Sequence, residues 1–457
     1  MRRILGVSTL LIGLAWASAA AQEPTFALAN VTVIDATGAR PQSNMTVVVT
    51  GHRIAAVGES AKAPLPATTR VIDMRGKFLI PGLWDMHVHL SKAGGNTLPL
   101  FIANGVTGVR DMGDDFEQVA GWRKEIEAGR KIGPRIKTSG PILEAQTNVE
   151  RMKREATIEP VDRFRVGVGD PASADAAVER LARMGVDFLK IRTVTSLATY
   201  HALATAARKH HLALVGHPAA TPEEVLKAGQ RSIEHGFFPP LIYRALEERR
   251  ELFRKLATNG TAIVPTLVTG EERRIPYERA KALEEDSNGR LDARRQYLSG
   301  YLIKDWMEQV EEKKDYPPGF QKLMDERLRD AREMFQAGMR VMPGTDVAVL
   351  LVWPGYSLHD ELRLLVDQVG LAPMEAIISA TRSPAEFLGL DGSLGTVREG
   401  KIADLVVLDY NPLDDIKNTQ SITAVVSNGR FFSKAEIQNL LAECATHAQK
   451  ENRGNQR

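Results

Sequence analysis

Six side chains in this sequence have types and positions suited to holding metal ions. His87 and His89, in the run LIPGLWDMHVHL, are separated only by Val88. Alternate residues of a strand share a face, so two such histidines can aim both imidazoles at one ion. On its own such a pair is more often two surface or core histidines than a metal site. The other four strengthen it: Lys190 lies in the apolar strand DFLKIRT, His217 closes ALVGHP, His235 closes RSIEHG and Asp346 closes RVMPGTD. Four histidines and a carboxylate at the ends of strand-like runs is a pattern that chance does not account for. The remaining histidines, His52, His201, His210, His211, His359 and His447, are scattered over loops and helices.

The elements that must position these groups are eight apolar, strand-sized runs alternating with amphipathic helical stretches. They are Phe78–Met86, Val106–Asp111, Arg135–Ser139, Asp187–Arg192, Leu212–Gly216, Arg231–His235, Ala262–Leu267 and Arg340–Thr345. Eight βα units predict an α/β fold of the (β/α)8 TIM-like barrel type over residues 81–390, whose chemistry sits at the C-terminal strand ends. A doubly wound sheet accommodates eight strands as well. The stretch Gly270 to Gly338 interrupts the alternation with charged helical sequence (EERR, ALEED, EQVEEKKD, DERLRDARE). It reads either as a solvated insertion with mixed-sign ion pairs or as a lid over the barrel mouth.

Both flanks are rich in β-formers. Phe26–Ile34, Asn44–Val49, His52–Val57 and Thr69–Asp73 precede the barrel region; Gly400–Asp409 and Ile422–Phe432, with the hairpin signal Asn428-Gly429, follow it. Residues 22–80 and 391–440 therefore predict a small β-sandwich domain built from both chain ends. Residues 441–457 read as a C-terminal tail, disordered from Gln449 to Arg457.

The chain has 457 residues, 43% hydrophobic and 25% charged, which excludes disorder and fibrous classes. Its 59 basic residues nearly match its 57 acidic ones, and Arg2 and Arg3 belong to an apparent leader, so no nucleic-acid footprint remains. In that leader, Arg2-Arg3 precede an apolar run from Ile4 to Trp16, and Ala19-Ala20-Ala21 offers a small-residue cleavage site. Residues 1–21 are read as a signal peptide. The run is too short to be a stable membrane anchor, and the expected location is the periplasm or outside the cell. Cys444 is the only cysteine, so no intrachain disulfide forms.

The sequence resembles the metal-dependent amidohydrolase superfamily, and within it the imidazolonepropionase-like amidohydrolases and Xaa-Pro-type dipeptidases. The resemblance rests on Gly76-Lys77, Pro81-Gly82, His87-Val88-His89, Lys190, His217, Ile233-Glu234-His235-Gly236 and Gly344-Thr345-Asp346, with ATRSPAEFLGL and GTVREGKIADLVVLD near the end. It implies two divalent metal ions, zinc by donor type, with His87, His89 and Asp346 on one and His217 and His235 on the other. Lys190, carbamylated by carbon dioxide, would bridge them. The residue-level alternative is a strand lysine snorkelling to solvent. By the same resemblance Asp346 is also the catalytic proton shuttle; Asp85, which precedes the histidine pair, is by its position a candidate to orient an imidazole.

Arg110 and Arg192 are candidate clamps for a substrate carboxylate, the alternative being interior ion pairs. Asp111 and Ser139 also end strands. Tyr356 and His359, in GYSLHDEL, are candidates for lining the mouth, with helix capping or a surface position open for His359. Dipeptidase-like relatives tend to carry a Gly-Gly-His type loop after the third strand; here the run is SGPILEAQTN, without histidine. The expected activity is hydrolysis of C–N bonds in a small amide, dipeptide or N-acyl amino acid. Alternatives are a cyclic amide, ester or carbamate hydrolase, a mononuclear enzyme, or a silent binding protein. A homo-oligomer is compatible with the chain.

Overall fold

The computed structural model describes residues 25–454 apart from 64, 66–68, 156–159, 237, 239–243 and 316–318. The leader assigned to residues 1–21 lies outside the described residues. Among the described residues no helix is long and apolar enough to cross a membrane.

Two sets of parallel strands carry the centre of the molecule. Leu83–Val88, Val106–Asp111 and Arg135–Thr138 form one sheet. Arg165–Val168, Ile142–Ala145, Leu189–Ile191, Leu214–Gly216, Ser232–Glu234 and Ala262–Val264 form the other, in that order. Every residue of Leu83–Val88 and Val106–Asp111 is buried, as near-continuous apolar strands covered on both faces should be. Backbone bonds also join the two sheets. Asp187 N–H donates to Thr138 O at 2.9 Å, Ile263 bridges Val341, and Val88 bridges Val347.

Helices connect successive strands and begin where the sequence supplies caps. Pro171–Met184, for example, starts behind Asp170, whose carboxylate accepts from Ser173 N–H while the Ser173 hydroxyl accepts from Asp170 N–H, and it stops at Gly185 in the left-handed region.

Two strand expectations need correction. Phe78–Met86 is not one strand. Phe78–Pro81 pairs with Leu405–Leu408 in a sheet built from both chain ends, and Leu83–Val88 begins the parallel set. Gly82 makes the corner, because a Cβ there would lie 2.1 Å from Thr107 Oγ1. The run Arg340–Thr345 is not a regular strand: it bridges Ile263 at Val341, exchanges backbone bonds with Ile263 and accepts one from Met86, but Pro343 has no N–H to give to a ladder. A parallel pair, Ile142–Ala145 with Arg165–Val168, was not anticipated.

The chain-end sheet has eight strands. Its path runs Arg430–Ser433, Ile422–Ser427, Leu405–Leu408, Phe78–Pro81, Thr25–Val33, Gln42–Thr50, Arg53–Glu59, with Arg70–Asp73 against Thr25–Val33. The Asn428-Gly429 turn has φ of +48° and +79°, as a tight hairpin requires. Leu28, Val31, Val47, Leu79, Leu405 and Val426 belong to a core cluster separate from that of the parallel strands.

The charged stretch forms the helices Val268–Arg274, Tyr277–Glu285, Gly300–Glu312 and Phe320–Gln336. Leu302, Trp306 and Val310 bury one face of Gly300–Glu312, and Trp306 meets Trp353 edge-on at 5.0 Å. Of the expected disordered tail, Gln449 to Gly454 is instead the end of a helix, Lys434–Gly454, and residues 455–457 lie outside the described residues. Glu451 accepts from Ser299 Oγ at 2.8 Å, and Asn452 Nδ2 donates to Leu298 O.

His359 is buried, its ring nitrogens 2.9 Å from Thr419 Oγ1 and 3.1 Å from Asn104 O. Burial pushes its pKa down to about 4. The unfolded chain, with a histidine pKa near 6.5, then binds a proton that the folded chain refuses as pH falls from 6.5 to 4. Stability should drop over that window by up to about 3 kcal/mol on His359's account. Denaturant melts of the parent and His359→Gln across pH 4 to 7.5 should show the parent losing stability more steeply on the acid side.

Candidate active site

All six ligand candidates lie on the wall of one cavity of about 690 Å³ at the C-terminal ends of the parallel strands. Donor atoms of His87, His89 and Asp346 lie within 4.8 Å of one another, a group able to hold a metal ion. Asp346 Oδ1 is 3.4 Å from both His87 Nε2 and His89 Nε2. His217 Nε2 and His235 Nε2 approach to 3.1 Å, with the rings edge to face. Lys190 Nζ sits 3.4 Å from His87 Nε2.

Local backbone explains the convergence. His87 and His89 share a strand face. His235 and Asp346 have φ of +66° and +60°, a left-handed conformation that non-glycine residues hold only when their surroundings enforce it. The turn at His235 lets Glu234 and His235 both serve the site, although neighbours on a regular strand would diverge. Gly216, before His217, has φ +129°, and a Cβ there would lie 2.1 Å from Ile191 O.

Electrostatics favour deprotonated nitrogen ligands. Burial, reinforced for His87 by Lys190 and for His235 by His217, holds the pKa of His87, His217 and His235 well below the usual imidazole range. Burial lowers Lys190 to about 8. Burial works against charge on Asp346, yet His87, His89 and Lys190 together hold it below the usual carboxylate range.

The outward-pointing nitrogens of three of the four histidines have partners. His87 Nδ1 lies 2.9 Å from Glu234 Oε2, His89 Nδ1 3.0 Å from Gly113 O, and His235 Nδ1 2.8 Å from Thr266 Oγ1. Such contacts set ring orientation and tautomer. Arg327 donates to Thr266 Oγ1 at 3.2 Å and to His235 O at 3.2 Å.

Glu234 is the residue that sequence reasoning passed over, although it stands in the quoted run Ile233-Glu234-His235-Gly236; the available signal was a carboxylate inside an apolar strand. Arg110, a candidate substrate clamp, is corrected to an interior residue. It is fully buried and donates to both Glu234 oxygens at 2.8 and 2.9 Å, to Ser232 Oγ and to Met86 O. Asp85 does not reach an imidazole. Its carboxylate accepts from Thr345 Oγ1 at 2.6 Å, Thr345 N–H and His87 N–H, and burial raises its pKa to about 7. Asp111 accepts from Leu90 N–H and Thr138 Oγ1, and Ser139 donates to Gly140 O.

Tyr356 and His359 are also corrected, as neither is among the cavity-lining residues. Tyr356 stacks on Tyr297 at 6.1 Å, and His359 is tied to Thr419 and Asn104. Arg192 does line the cavity, as do Asp305, Glu308, Glu312, Arg273, Leu323, Met324 and Arg327 from the charged helical stretch. That stretch is therefore a wall of the cavity, and its apolar faces are packed rather than solvated.

Comparison with known proteins agrees with this geometry. An ochratoxinase of Aspergillus niger is 26% identical over 453 residues, covering 86% of this chain and 83% of its own. An imidazolonepropionase of Acinetobacter baumannii is 22% identical over 395 residues, covering 81% and 88%. The crystal structure of a Xaa-Pro dipeptidase with methionine in its active site superposes with a TM-score of 0.67 at 23% identity, covering 90% of this chain and all of the other. The model of the amidohydrolase family matches residues 78–432. With that match spanning most of its length, the chain belongs to the amidohydrolase family and is a hydrolase acting on carbon–nitrogen bonds.

Proposed function

We propose that the chain is an exported, two-metal hydrolase of small amides, taking a dipeptide or N-acyl amino acid to its acid and amine. The observation that carries this reading is the convergence of His87, His89 and Asp346 within 4.8 Å, beside a second nitrogen pair, His217 and His235, 3.1 Å apart. Two unprotonated imidazoles at that separation make sense as ligands to a shared cation. The donor set, nitrogen with carboxylate oxygen, suits zinc. Export rests on the Arg2-Arg3 leader with its apolar run. The reading of the parallel strands as a closed (β/α)8 barrel over residues 81–390 is supported by the backbone bonds from Thr138 to Asp187, Ile263 to Val341 and Val88 to Val347; for the expected β-sandwich of 22–80 and 391–440, the support is a single eight-stranded sheet drawn from both chain ends.

Bound divalent ions would polarise the amide carbonyl and make water a competent nucleophile near neutral pH. His87, oriented by Glu234, and His89, oriented by Gly113 O, present Nε2 inward. Lys190, buried and with its pKa lowered to about 8, has an amine fraction able to add to carbon dioxide; loss of one proton would give a carbamate, whose oxygens would be further ligands for divalent ions held by the histidines and Asp346. Asp346, ionised at neutral pH, accepts the proton of the attacking water. It then delivers that proton to the leaving nitrogen as the C–N bond breaks, giving a carboxylate and an amine. A mononuclear centre on His87, His89 and Asp346 is the second reading, favoured by the fact that only this trio forms a compact group of three among the described residues.

Asp346→Asn should keep the fold, by circular dichroism, while turnover falls by roughly 10²- to 10⁴-fold; near-parent activity with metal bound would exclude Asp346 as the proton carrier. Glu234→Gln should weaken metal retention by about 10- to 100-fold in chelator competition, because His87 loses an acceptor that fixes its ring. Lys190→Ala should lose most activity. Apo-protein reconstituted with zinc in degassed buffer should recover activity only when bicarbonate is added, with one carbon dioxide of extra mass at Lys190 and two zinc ions by elemental analysis. Equal recovery without bicarbonate, with one zinc per chain, would select the mononuclear reading.

A further inference from the structure

The cavity wall contains a cation that the hydrolytic step does not use. Arg192 follows Lys190 by two residues and continues its strand, its N–H donating to Leu143 O at 3.0 Å. Two extended residues span roughly 6.6 Å, so the Arg192 backbone lies about one amino-acid length from that of Lys190, on the same side of the chain. Its guanidinium lines the cavity, with 40% of the side chain exposed.

One edge of that guanidinium is already fixed. Arg192 Nη1 donates to Glu144 Oε2 at 3.3 Å. Glu144 is fully buried and is itself held by Asn148 Nδ2 at 3.1 Å and by the Thr193 hydroxyl. Nε and Nη2 of Arg192 have no hydrogen-bond partner among the described residues. A planar fork braced on one side with a free edge toward a cavity is suited to a bidentate carboxylate.

The rest of the wall gives this site a direction. Arg165, from the strand paired with the one that carries Glu144, also lines the cavity and adds a second cation to a wall that includes Glu155. Asp305, Glu308 and Glu312 come from the helix Gly300–Glu312, which leans on the other side through Trp306 Nε1 and Gln309 Nε2, both donating to Ala348 O at 3.2 Å. Lys92 lies 3.8 Å from Asp305, so the charge near that helix is already answered, whereas the unused edge of Arg192 offers an anionic group a partner.

We propose that Arg192, braced by Glu144, binds the free carboxylate of the substrate, so that the enzyme acts on N-acyl amino acids and dipeptides in preference to neutral amides, cyclic amides or carbamates. This inference rests on the amide-hydrolase reading above and names its substrate class. The test uses zinc-loaded full-length protein with matched pairs, an N-benzoyl amino acid or a dipeptide and its C-terminal carboxamide.

The parent should favour the acid by about 10- to 100-fold in kcat/KM, the worth of one charge-assisted pair. Arg192→Gln should raise KM for the acid by a similar factor with little change in kcat, and leave the carboxamide unaffected. Arg192→Lys should restore only part of the preference, and Arg165→Gln should reduce it less than Arg192→Gln.

Binding is read separately, as displacement of a fluorescent N-acyl amino acid from each variant. Loss of affinity in Arg192→Gln without turnover of any substrate by the parent would remove the hydrolase reading and keep the carboxylate site. Equal handling of acid and carboxamide by the parent, equal losses for both in Arg192→Gln, or a selective loss that follows Arg165 instead would overturn the proposal.

Discussion

The site depends on the bonding of one late segment to the strand that carries the first two ligands. Asp346 N–H donates to His87 O at 2.7 Å, Met86 N–H to Pro343 O at 2.9 Å, and Thr345 bonds through both its N–H and its hydroxyl to Asp85, a residue 260 positions earlier. Closing so long a chain carries an entropic cost that grows only slowly with length, and the apolar parallel strands supply the burial that offsets it. Once the segment is seated, Asp346 has no choice but to face His87 and His89. Gly344 permits the seating, because a Cβ there would lie 2.8 Å from His87 Cβ and 2.9 Å from His87 N.

Beneath the ligands lies a layer of buried charge. Arg110 and Glu234 are a fully buried ion pair, and Glu234 also holds the Nδ1 of the uncharged His87. Such a layer contributes little net stability, since desolvation roughly cancels attraction, but removing one member leaves an uncompensated buried charge that costs roughly 3–5 kcal/mol. Its value is geometric. Arg110 reaches Met86 O and Ser232 Oγ as well as Glu234, so the strands bearing His87 and His235 are tied across the interior.

The ligand positions were legible in the sequence because parallel strands put their chemistry at one end and apolar runs mark the strands. His87, His89, Lys190, His217, His235 and Asp346 all come to one cavity for that reason. What surrounds them was less legible. Arg110 reads from sequence as a strand-end arginine, and only the location of Glu234, more than a hundred residues later, shows that it faces inward. The pair Ile142–Ala145 and Arg165–Val168 consists of four-residue strands with too little periodicity to detect. Gln449 to Gly454 has the composition of a frayed tail, yet Glu451 and Asn452 find partners at Ser299 and Leu298 that lie far away in sequence. Each miss involves a contact whose second half is non-local.

The site is thereby divided into two parts with different tolerances. The ligands stand on strands held by backbone bonds and by the buried charge layer, where His235 and Asp346 store left-handed backbone conformations that only a rigid frame sustains. Most of the wall around the cavity comes instead from segments outside the regular alternation: Ile142, Met152 and Arg165 from the short parallel pair and its connection, and Arg273, Asp305, Glu308, Leu323 and Met324 from the helices between Val268 and Gln336. The helices among them pack in a cluster of Ala280, Leu302, Trp306 and Val310 that also takes in Ala348 and Trp353 from the segment following Asp346. Wall side chains that touch no ligand, unlike Arg327 with its bonds to His235 O and Thr266 Oγ1, can therefore change charge or size with little effect on the ligand positions. Arg192 stands at the boundary, its backbone paired with the strand set and its guanidinium braced by Glu144 from the short pair, so it joins the fixed geometry of the ligands to the variable chemistry of the wall.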